Sequence, residues 1–253
     1  MKTSLLSANL KNRAKTMMEG KYYVTIMALI FFHMITLLLT NFSSSLSLQI
    51  SATLQRLLGL SETGIWLVIL SYFVVFLFTA LCNVLRIGVC LFFLNIACEN
   101  YYSSFDLFHG FFENFGKSYG LSFLLTLLST LALAPLDALI YLFRQPGGIR
   151  VDVLTFLIAL QLTLLVFYIP ISLALSQSYY IMLDYPDLKL TDILRQSAKL
   201  MQGRKLQLFY IQISFLPLFL LTVPTFGLGS LWLTPYKNMT YTLFYLDSMK
   251  EER

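Results

Sequence analysis

Long stretches without a charged side chain dominate this sequence. No Asp, Glu, Lys or Arg occurs in residues 22–55, 63–85, 118–136, 153–183 or 206–236. Crossing the hydrocarbon core of a bilayer takes about 20 apolar residues. Because lipid offers no hydrogen-bond partner, the backbone must pair within each segment, as a helix does, whereas a barrel shows alternating strands of about ten residues. The pattern predicts an all-α, polytopic integral membrane protein.

Composition favours the same class. Hydrophobic residues make up 57% of the 253 residues, charged residues only 12%, and the mean hydropathy is +0.72. A soluble domain carries about a quarter charged residues. We therefore expect a single membrane domain over residues 1–253 with about six transmembrane helices. These are predicted at residues 22–40, 64–85 (which can extend to 98), 118–143, 153–182, 206–223 and 226–247.

The basic residues predict the orientation of these spans, because short loops rich in Lys and Arg stay in the cytoplasm. With six spans and a cytoplasmic N-terminus, the outer loops hold only Arg56, Arg144 and Arg150. The inner segments hold Lys2, Lys11, Arg13, Lys15, Lys21, Lys117, Lys189, Arg195, Lys199, Arg204, Lys205, Lys250 and Arg253. Both termini are therefore expected in the cytoplasm. The pI near 9.0 indicates contact with anionic lipid headgroups rather than nucleic acid.

Three parts of the chain resemble one another. Residues 14–21 and 198–205 both contain Ala-Lys-x-Met, a glycine and then a basic residue before a charge-free stretch, and a weaker copy covers residues 106–117. The even-numbered spans end before Glu99, Asp184 and Asp247. One interpretation is a threefold repeat of an amphipathic cytoplasmic helix plus a membrane hairpin, over residues 4–99, 104–184 and 188–247, around an axis along the membrane normal. Chance similarity is the alternative.

Arg86 and Lys237 are the main candidate functional residues, because a charge inside a span costs roughly 2.5–3.5 kcal/mol on insertion scales. They precede Glu99 and Asp247 at comparable distances. One hypothesis is that both bind an anionic ligand or a lipid phosphate in a cavity that faces the cytoplasm. The alternative is that both side chains extend to the inner headgroups.

Asp137 and His33 are candidate polar residues within the membrane. Asp137 either pairs with Arg144 or Arg150 or forms a proton or cation site, and His33 is expected to be a buried, hydrogen-bonded side chain. The three cysteines, Cys82, Cys90 and Cys98, lack the His or acidic neighbours of a metal site, so reduced packing residues are expected. The serines between Ser43 and Ser47 are expected in an outer loop. The sequence thus predicts no metal and no cofactor.

Two functions remain open from the residues alone. The first is a membrane scaffold or accessory protein that engages lipids or partner proteins through its amphipathic cytoplasmic helices. The second is a transporter or permease-like protein whose helices surround a cavity with Arg86 and Lys237. No phosphate loop, His-Glu-x-x-His or Gly-x-Ser-x-Gly motif occurs, so an enzyme is not expected.

Several of these motifs resemble those of a bacterial membrane family, domain of unknown function 975. They include a Leu-x-x-x-Ala-Lys helix at residues 10–15, a Phe-rich helix at 108–115, a Tyr-x-x-x-x-Asp-x-Pro turn near 180–186, Ser-x-x-x-Met-x-Gly at 197–203, and Pro235-Tyr236. The similarity covers nearly the whole chain and departs from the family pattern at Pro135. It implies an integral protein of the bacterial cytoplasmic membrane, and it brings no established activity or site residues.

Overall fold

The computed structural model describes residues 2–58, 65–143 and 150–252, with side chains described over 7–57, 66–143 and 150–251. Helices, turns and short irregular connections make up these residues, which contain no strand. The α-helices are α1 (Lys2–Met18), α2 (Tyr22–Leu58), α3 (Ile65–Ala97), α4 (His109–Phe112), α5 (Phe115–Phe143), α6 (Val151–Ala174), α7 (Ser178–Asp184), α8 (Leu190–Leu200), α9 (Lys205–Leu220) and α10 (Ser230–Glu252). A 3-10 helix, Ser104–Phe108, precedes α4.

Four of the predicted spans are long and apolar enough to cross a membrane. In the described residues they are α2, α3, α5 and the α6–α7 pair. The predicted fifth span is the shorter apolar helix α9, with 16 residues, and α10 does not meet the same criterion of length and apolarity. The all-α prediction is therefore confirmed, while the six-span prediction is not.

The predicted outer loop around Ser43 and Ser47 is wrong, because α2 continues through it to Leu58. The hydroxyl of Ser43 donates to the carbonyl oxygen of Thr40 at 2.9 Å, and that of Ser47 donates to Ser44 at 2.9 Å. A serine hydroxyl that donates to a carbonyl oxygen one turn earlier in its own helix does not draw the backbone into a turn. Clustered serines therefore do not interrupt this helix.

The fourth span also differs from its prediction, while the second agrees with one of its two predicted forms. The second takes its longer form, since α3 runs unbroken from Ile65 to Ala97. The fourth is predicted as one segment over residues 153–182, but turns at 175–177 separate α6 from α7. The third span, α5, is described as far as Phe143 and passes through Pro135 without a break.

The largest buried clusters lie at one end of the bundle, which we call the charged end and define by Asp184, Arg204 and Asp247. There Arg13 pairs with Asp247 at 3.0 Å, and Arg204 pairs with Glu251. The hydroxyl of Tyr245, itself fully buried, donates to Asp184 at 2.5 Å. These contacts hold α1, α7 and α10 together. The far halves of α2, α5 and α6 expose apolar side chains instead, as lipid-facing helices do.

Helices α1 and α8 pack inward in the same register. Each buries one residue in every four on one face: Leu10, Ala14 and Met18 in α1, and Ile193 and Ser197 in α8, with Met201 next in the series just beyond its end. Gly20 and Gly203 follow with φ angles of 76° and 75°. In this alignment Gly20 matches Gly203, which is one residue away from the alignment of the two Ala-Lys-x-Met motifs. A residue with positive φ ends each helix, and its position decides which residues face inward. The local similarity is real, while the threefold repeat is not confirmed.

Candidate functional site: a cavity with two cations

Seven helices line a cavity of about 500 Å³: the short α7, through Tyr179 and Tyr180, and a ring of six. The ring consists of α2, α3, α5, α6, α9 and α10, and each contacts the next in this order, with α10 returning to α2. Every one of them contributes a polar side chain to the lining: His33, Arg86, Ser129, Ser172, Gln212 and Lys237. A cavity with polar and apolar side chains in its wall therefore lies among these helices.

Arg86 and Lys237 line this one cavity, so the structure brings together the two cations that sequence analysis selected. The ammonium of Lys237 lies 5.9 Å from the ring centre of Tyr241, a favourable contact for a cation. Among the described residues, no Asp or Glu lines the cavity. In the part of the chain that the structure describes, neither cation has an ion-pair partner. The cavity carries an excess of positive charge.

His33 lies at the same cavity, one turn of α2 beyond Leu29. Its Nδ1 is 2.8 Å from the carbonyl oxygen of Leu29. Because a carbonyl only accepts, Nδ1 carries the hydrogen, and Nε2 of a neutral ring is an acceptor. The side chain is hydrogen-bonded as expected, but it is exposed at the cavity rather than buried.

Gln177 is the cavity residue that sequence reasoning missed. It lies in the turn between α6 and α7, and only 2% of its surface is exposed. Its Nε2 donates to Ser176 Oγ at 3.0 Å, whereas its Oε1 has no hydrogen-bond partner. Buried polar atoms are rarely left unpaired. The only available signal was a single glutamine late in a long apolar stretch.

Other polar groups in the lining are already engaged. Asn83 donates its Nδ2 to Thr126 Oγ1 at 2.8 Å, and Thr126 donates to the carbonyl of Ser122 at 2.6 Å. The hydroxyls of Tyr180 and Thr242 are 3.0 Å apart. These pairs fix α3 to α5 and α7 to α10. They hold the walls in place around the two cations.

Asp137 lies away from this cavity. It is exposed in a separate, mainly apolar pocket between α3 and α5, beside Tyr72 and Tyr141. Its predicted partner Arg150 instead pairs with Asp152 at 2.7 Å. The other, Arg144, lies outside the described residues. The structure therefore separates Asp137 from Arg86, Lys237 and His33.

The cysteines do not converge on a metal site. Cys82, Cys90 and Cys98 are free thiols. Over residues 2–58, 65–143 and 150–252, no three His, Cys, Asp or Glu side chains group as a metal site requires. Cys98 lies just beyond α3 and near Asp184. Partial burial raises the pKa of the Cys98 thiol, and the negative charge of Asp184 raises it further.

Comparison with known proteins identifies a family. The family described as "Protein of unknown function (DUF975)" matches residues 1–252. The chain belongs to this family. The resemblance seen in the motifs is thereby confirmed over the whole chain. No curated protein and no solved structure matches it.

The cavity of this DUF975 protein lies at a defined depth along its long helices. From Ile65 to Arg86, α3 rises about 32 Å at 1.5 Å per residue. The intervening side chains carry no charge. A hydrocarbon core is about 30 Å thick. If this part of α3 crosses the core, then Arg86 and the cavity lie at the membrane boundary nearer the charged end.

Proposed function

We propose that this DUF975 protein is an anion-binding membrane protein of the transporter type, with its binding site at the cytoplasmic boundary of the membrane. The observation that carries the proposal is the presence of Arg86 and Lys237 in one cavity without an acidic side chain. Like charges in one cavity repel each other, and the half-buried ammonium of Lys237 also loses hydration there, while Arg86 stays exposed. An anion removes both penalties, so the cavity favours an occupied state.

The ligand chemistry follows from the donors. Arg86 offers a planar fork of N–H groups that matches carboxylate and phosphate oxygens, and Lys237 offers a compact charge with three donors. Donor-capable amides from Asn238 and Gln212 line the same space. An anion with several oxygens, such as a phosphate, uses more of these donors than a halide does. A phosphate-bearing solute or lipid headgroup is therefore the proposed ligand class.

The proposed topology has four crossings, α2, α3, α5 and α6, with both termini in the cytoplasm of a bacterium. The N-terminal helix α1 packs along α9 and α10. Its Lys11 donates to the carbonyl of Ser214 at 3.2 Å, well inside α9, and burial lowers the pKa of this amine. Lys15 and Tyr22 share a pocket with Thr222 and Gly229 of the α9–α10 connection.

These contacts argue against a crossing by α9 and α10. Helix α9 has 16 residues, about 24 Å, which is less than the hydrocarbon core. Because α1 packs along α9 and α10, a crossing by these two helices would bring Lys11, Arg13 and Lys15 of α1 into lipid. We therefore place α9 and α10 as a shorter hairpin in the inner leaflet. A hairpin accounts for two crossings, so both termini stay in the cytoplasm when α9 and α10 do not cross. The excess of basic residues on the cytoplasmic side is therefore unchanged.

The threefold repeat is part of the same proposal. A residue with positive φ precedes the first helix of each hairpin: Gly20 before α2, Asn114 before α5 and Gly203 before α9. The second arms end near Glu99, Asp184 and Asp247. Together the three hairpins supply Arg86, Gln177 and Lys237 to one cavity. Three related units around an axis explain why the cavity is central.

A scaffold function has less support. The apolar faces of α1 and α8 are buried by other helices of the same chain. Those faces are consequently occupied within the described structure. Binding of a partner protein to these helices would have to use their charged faces, whose interactions are weak and screened by salt.

Phosphate binding to purified protein tests the proposal. In phosphatidylcholine nanodiscs, sn-glycerol 3-phosphate should raise the thermal midpoint of the native chain. Arg86→Gln and Lys237→Gln should each abolish that rise, and Arg195→Gln, an exposed cation on α8, should preserve it. In vesicles loaded with the same labelled phosphate, only the native chain and Arg195→Gln should release it. Absence of a native response, or its persistence in both cavity variants, rejects the proposal.

A further inference from the structure

The unpaired oxygen of Gln177 suggests what else the ligand carries. Gln177 is nine-tenths or more buried, lines the cavity with Arg86 and Lys237, and leaves its Oε1 without a donor. An amide oxygen can accept but never donate. An anionic oxygen cannot satisfy it. The partner of this oxygen must be an O–H or N–H group, which a ligand in the cavity can supply.

The neighbouring groups narrow the choice between those donors. Two cations line the cavity and no Asp or Glu does. A ligand ammonium would be repelled by Arg86 and Lys237, and no carboxylate there would stabilise it. A hydroxyl has no such penalty. It can donate to Gln177 while a phosphate on the same molecule contacts the cations.

The depth and the apolar lining point to the source of such a group. The cavity lies at the boundary where phospholipid phosphates lie, as the rise of α3 to Arg86 indicates. Leu29, Val89, Leu125 and Leu128 form part of its wall beside the polar groups. A glycerophosphate headgroup with a free hydroxyl fits this combination, and so does a soluble glycerol phosphate.

We infer that the cavity binds a phosphate ester with a neighbouring free hydroxyl, a glycerophosphate group, with Gln177 accepting from the hydroxyl while Arg86 and Lys237 bind the phosphate. This inference rests on the proposed anion-binding function. It assigns Gln177 a role in specificity, separate from the charge recognition by the two cations.

Matched ligands isolate the hydroxyl. In the lipid arm, phosphatidylcholine nanodiscs contain either phosphatidylglycerol or phosphatidylmethanol, which has the same phosphodiester charge without the headgroup hydroxyls. In the soluble arm, sn-glycerol 3-phosphate is compared with methyl phosphate. Native mass spectrometry and thermal midpoints report binding. One hydrogen bond corresponds to a preference of about fivefold for the hydroxylated ligand.

Two variants locate the effect. Gln177→Met has a similar length without an acceptor, and it should bind both members of each ligand pair equally while still binding phosphate. Gln202→Met, an exposed residue outside the cavity, should keep the native preference. Arg86→Gln should weaken the binding of both members of each ligand pair. The arm in which the preference appears identifies a lipid headgroup or a soluble ester as the source.

The outcomes separate the two proposals. If the native chain binds phosphate but treats both members of each pair alike, the inference about Gln177 is overturned and anion binding stands. If neither member of either pair binds, anion binding itself fails. If Gln177→Met does not fold, the comparison of ligands on the native chain still decides the question. A preference that persists in a folded Gln177→Met protein also overturns the inference.

Discussion

Leu136 of α5 donates its backbone N–H to the side-chain oxygen of Gln161 in α6, at 3.1 Å. The same side chain donates its Nε2 to the carbonyl oxygen of Ala132, also at 3.1 Å. In a regular helix these two backbone groups bond each other. Pro135 lies between them, and a proline within a helix lacks a backbone N–H and crowds the preceding turn. The amide of Gln161 thus bridges the helix at its proline and fixes α5 to α6.

Gln161→Leu should therefore destabilise the protein by about 1–2 kcal/mol, since both backbone groups lose this partner in an apolar environment. Pro135→Ala should recover part of the loss in the Gln161→Leu background, because a regular turn can then form. Unfolding midpoints in detergent measure both effects. Gln49→Leu, on an exposed face of α2, is the matched control. Equal midpoints for Gln161→Leu and the native chain would contradict this role.

Gly88→Ala should also destabilise, by about 1–3 kcal/mol, because a Cβ at this position would overlap the backbone of Leu107. That close contact packs the 3-10 helix onto α3. Gly116 in α5 has open space around its Cα, so Gly116→Ala should be neutral or stabilise by up to about 1 kcal/mol. In thermal melts, the midpoint of Gly88→Ala should fall, and that of Gly116→Ala should stay the same or rise. Similar losses from both would disprove the close approach.

Cys98 should react slowly with maleimide at neutral pH. Burial and Asp184 raise the pKa of its thiol, so the thiolate fraction at a given pH is smaller than for an ordinary cysteine. The alkylation rate should keep rising as pH increases past 9. In a Cys82→Ala, Cys90→Ala background, Asp184→Asn should speed alkylation at pH 7.5, and Asp187→Asn should have little effect. A rate typical of a free thiol, unaffected by Asp184→Asn, would refute the assignment.

The short α9–α10 hairpin has a direct topological test. A membrane-impermeant maleimide added to intact cells should label Arg150→Cys, which lies at the outer end of α6, in a cysteine-free background. It should not label Phe226→Cys at the α9–α10 connection, where the native side chain is 99% exposed. A six-span chain would expose both. Labelling of Phe226→Cys as fast as Arg150→Cys would restore the fifth and sixth crossings.

Lys237→Met should stabilise the ligand-free protein while it abolishes binding. The cavity holds two unpaired cations, and removing one relieves their repulsion and the loss of hydration, for a gain of about 1 kcal/mol. Such a trade between stability and function is usual for binding sites. Thermal midpoints with and without sn-glycerol 3-phosphate measure both effects. A less stable ligand-free variant would indicate that Lys237 has a structural partner.

Much of this protein follows from local sequence. Charge-free stretches require helices because lipid cannot satisfy a backbone, and α2, α3, α5 and the α6–α7 pair occur where those stretches predict them. Arg86 and Lys237 stand out because a charge in such a stretch is costly. The family could also be recognised from short motifs, and the family match over residues 1–252 agrees with them.

Tertiary structure decided the rest, because those features depend on which surfaces meet. The charge-free run at residues 206–236 is compatible with two crossings, and only the packing of α1 beside α9 and α10 argues for a shorter hairpin. Likewise, no local pattern shows that Arg86 and Lys237 share a cavity or that Gln177 is buried beside them, since these residues are up to 151 positions apart. Periodicity determines which face of a helix is apolar, whereas the neighbours of that face are set by the packing of the whole chain.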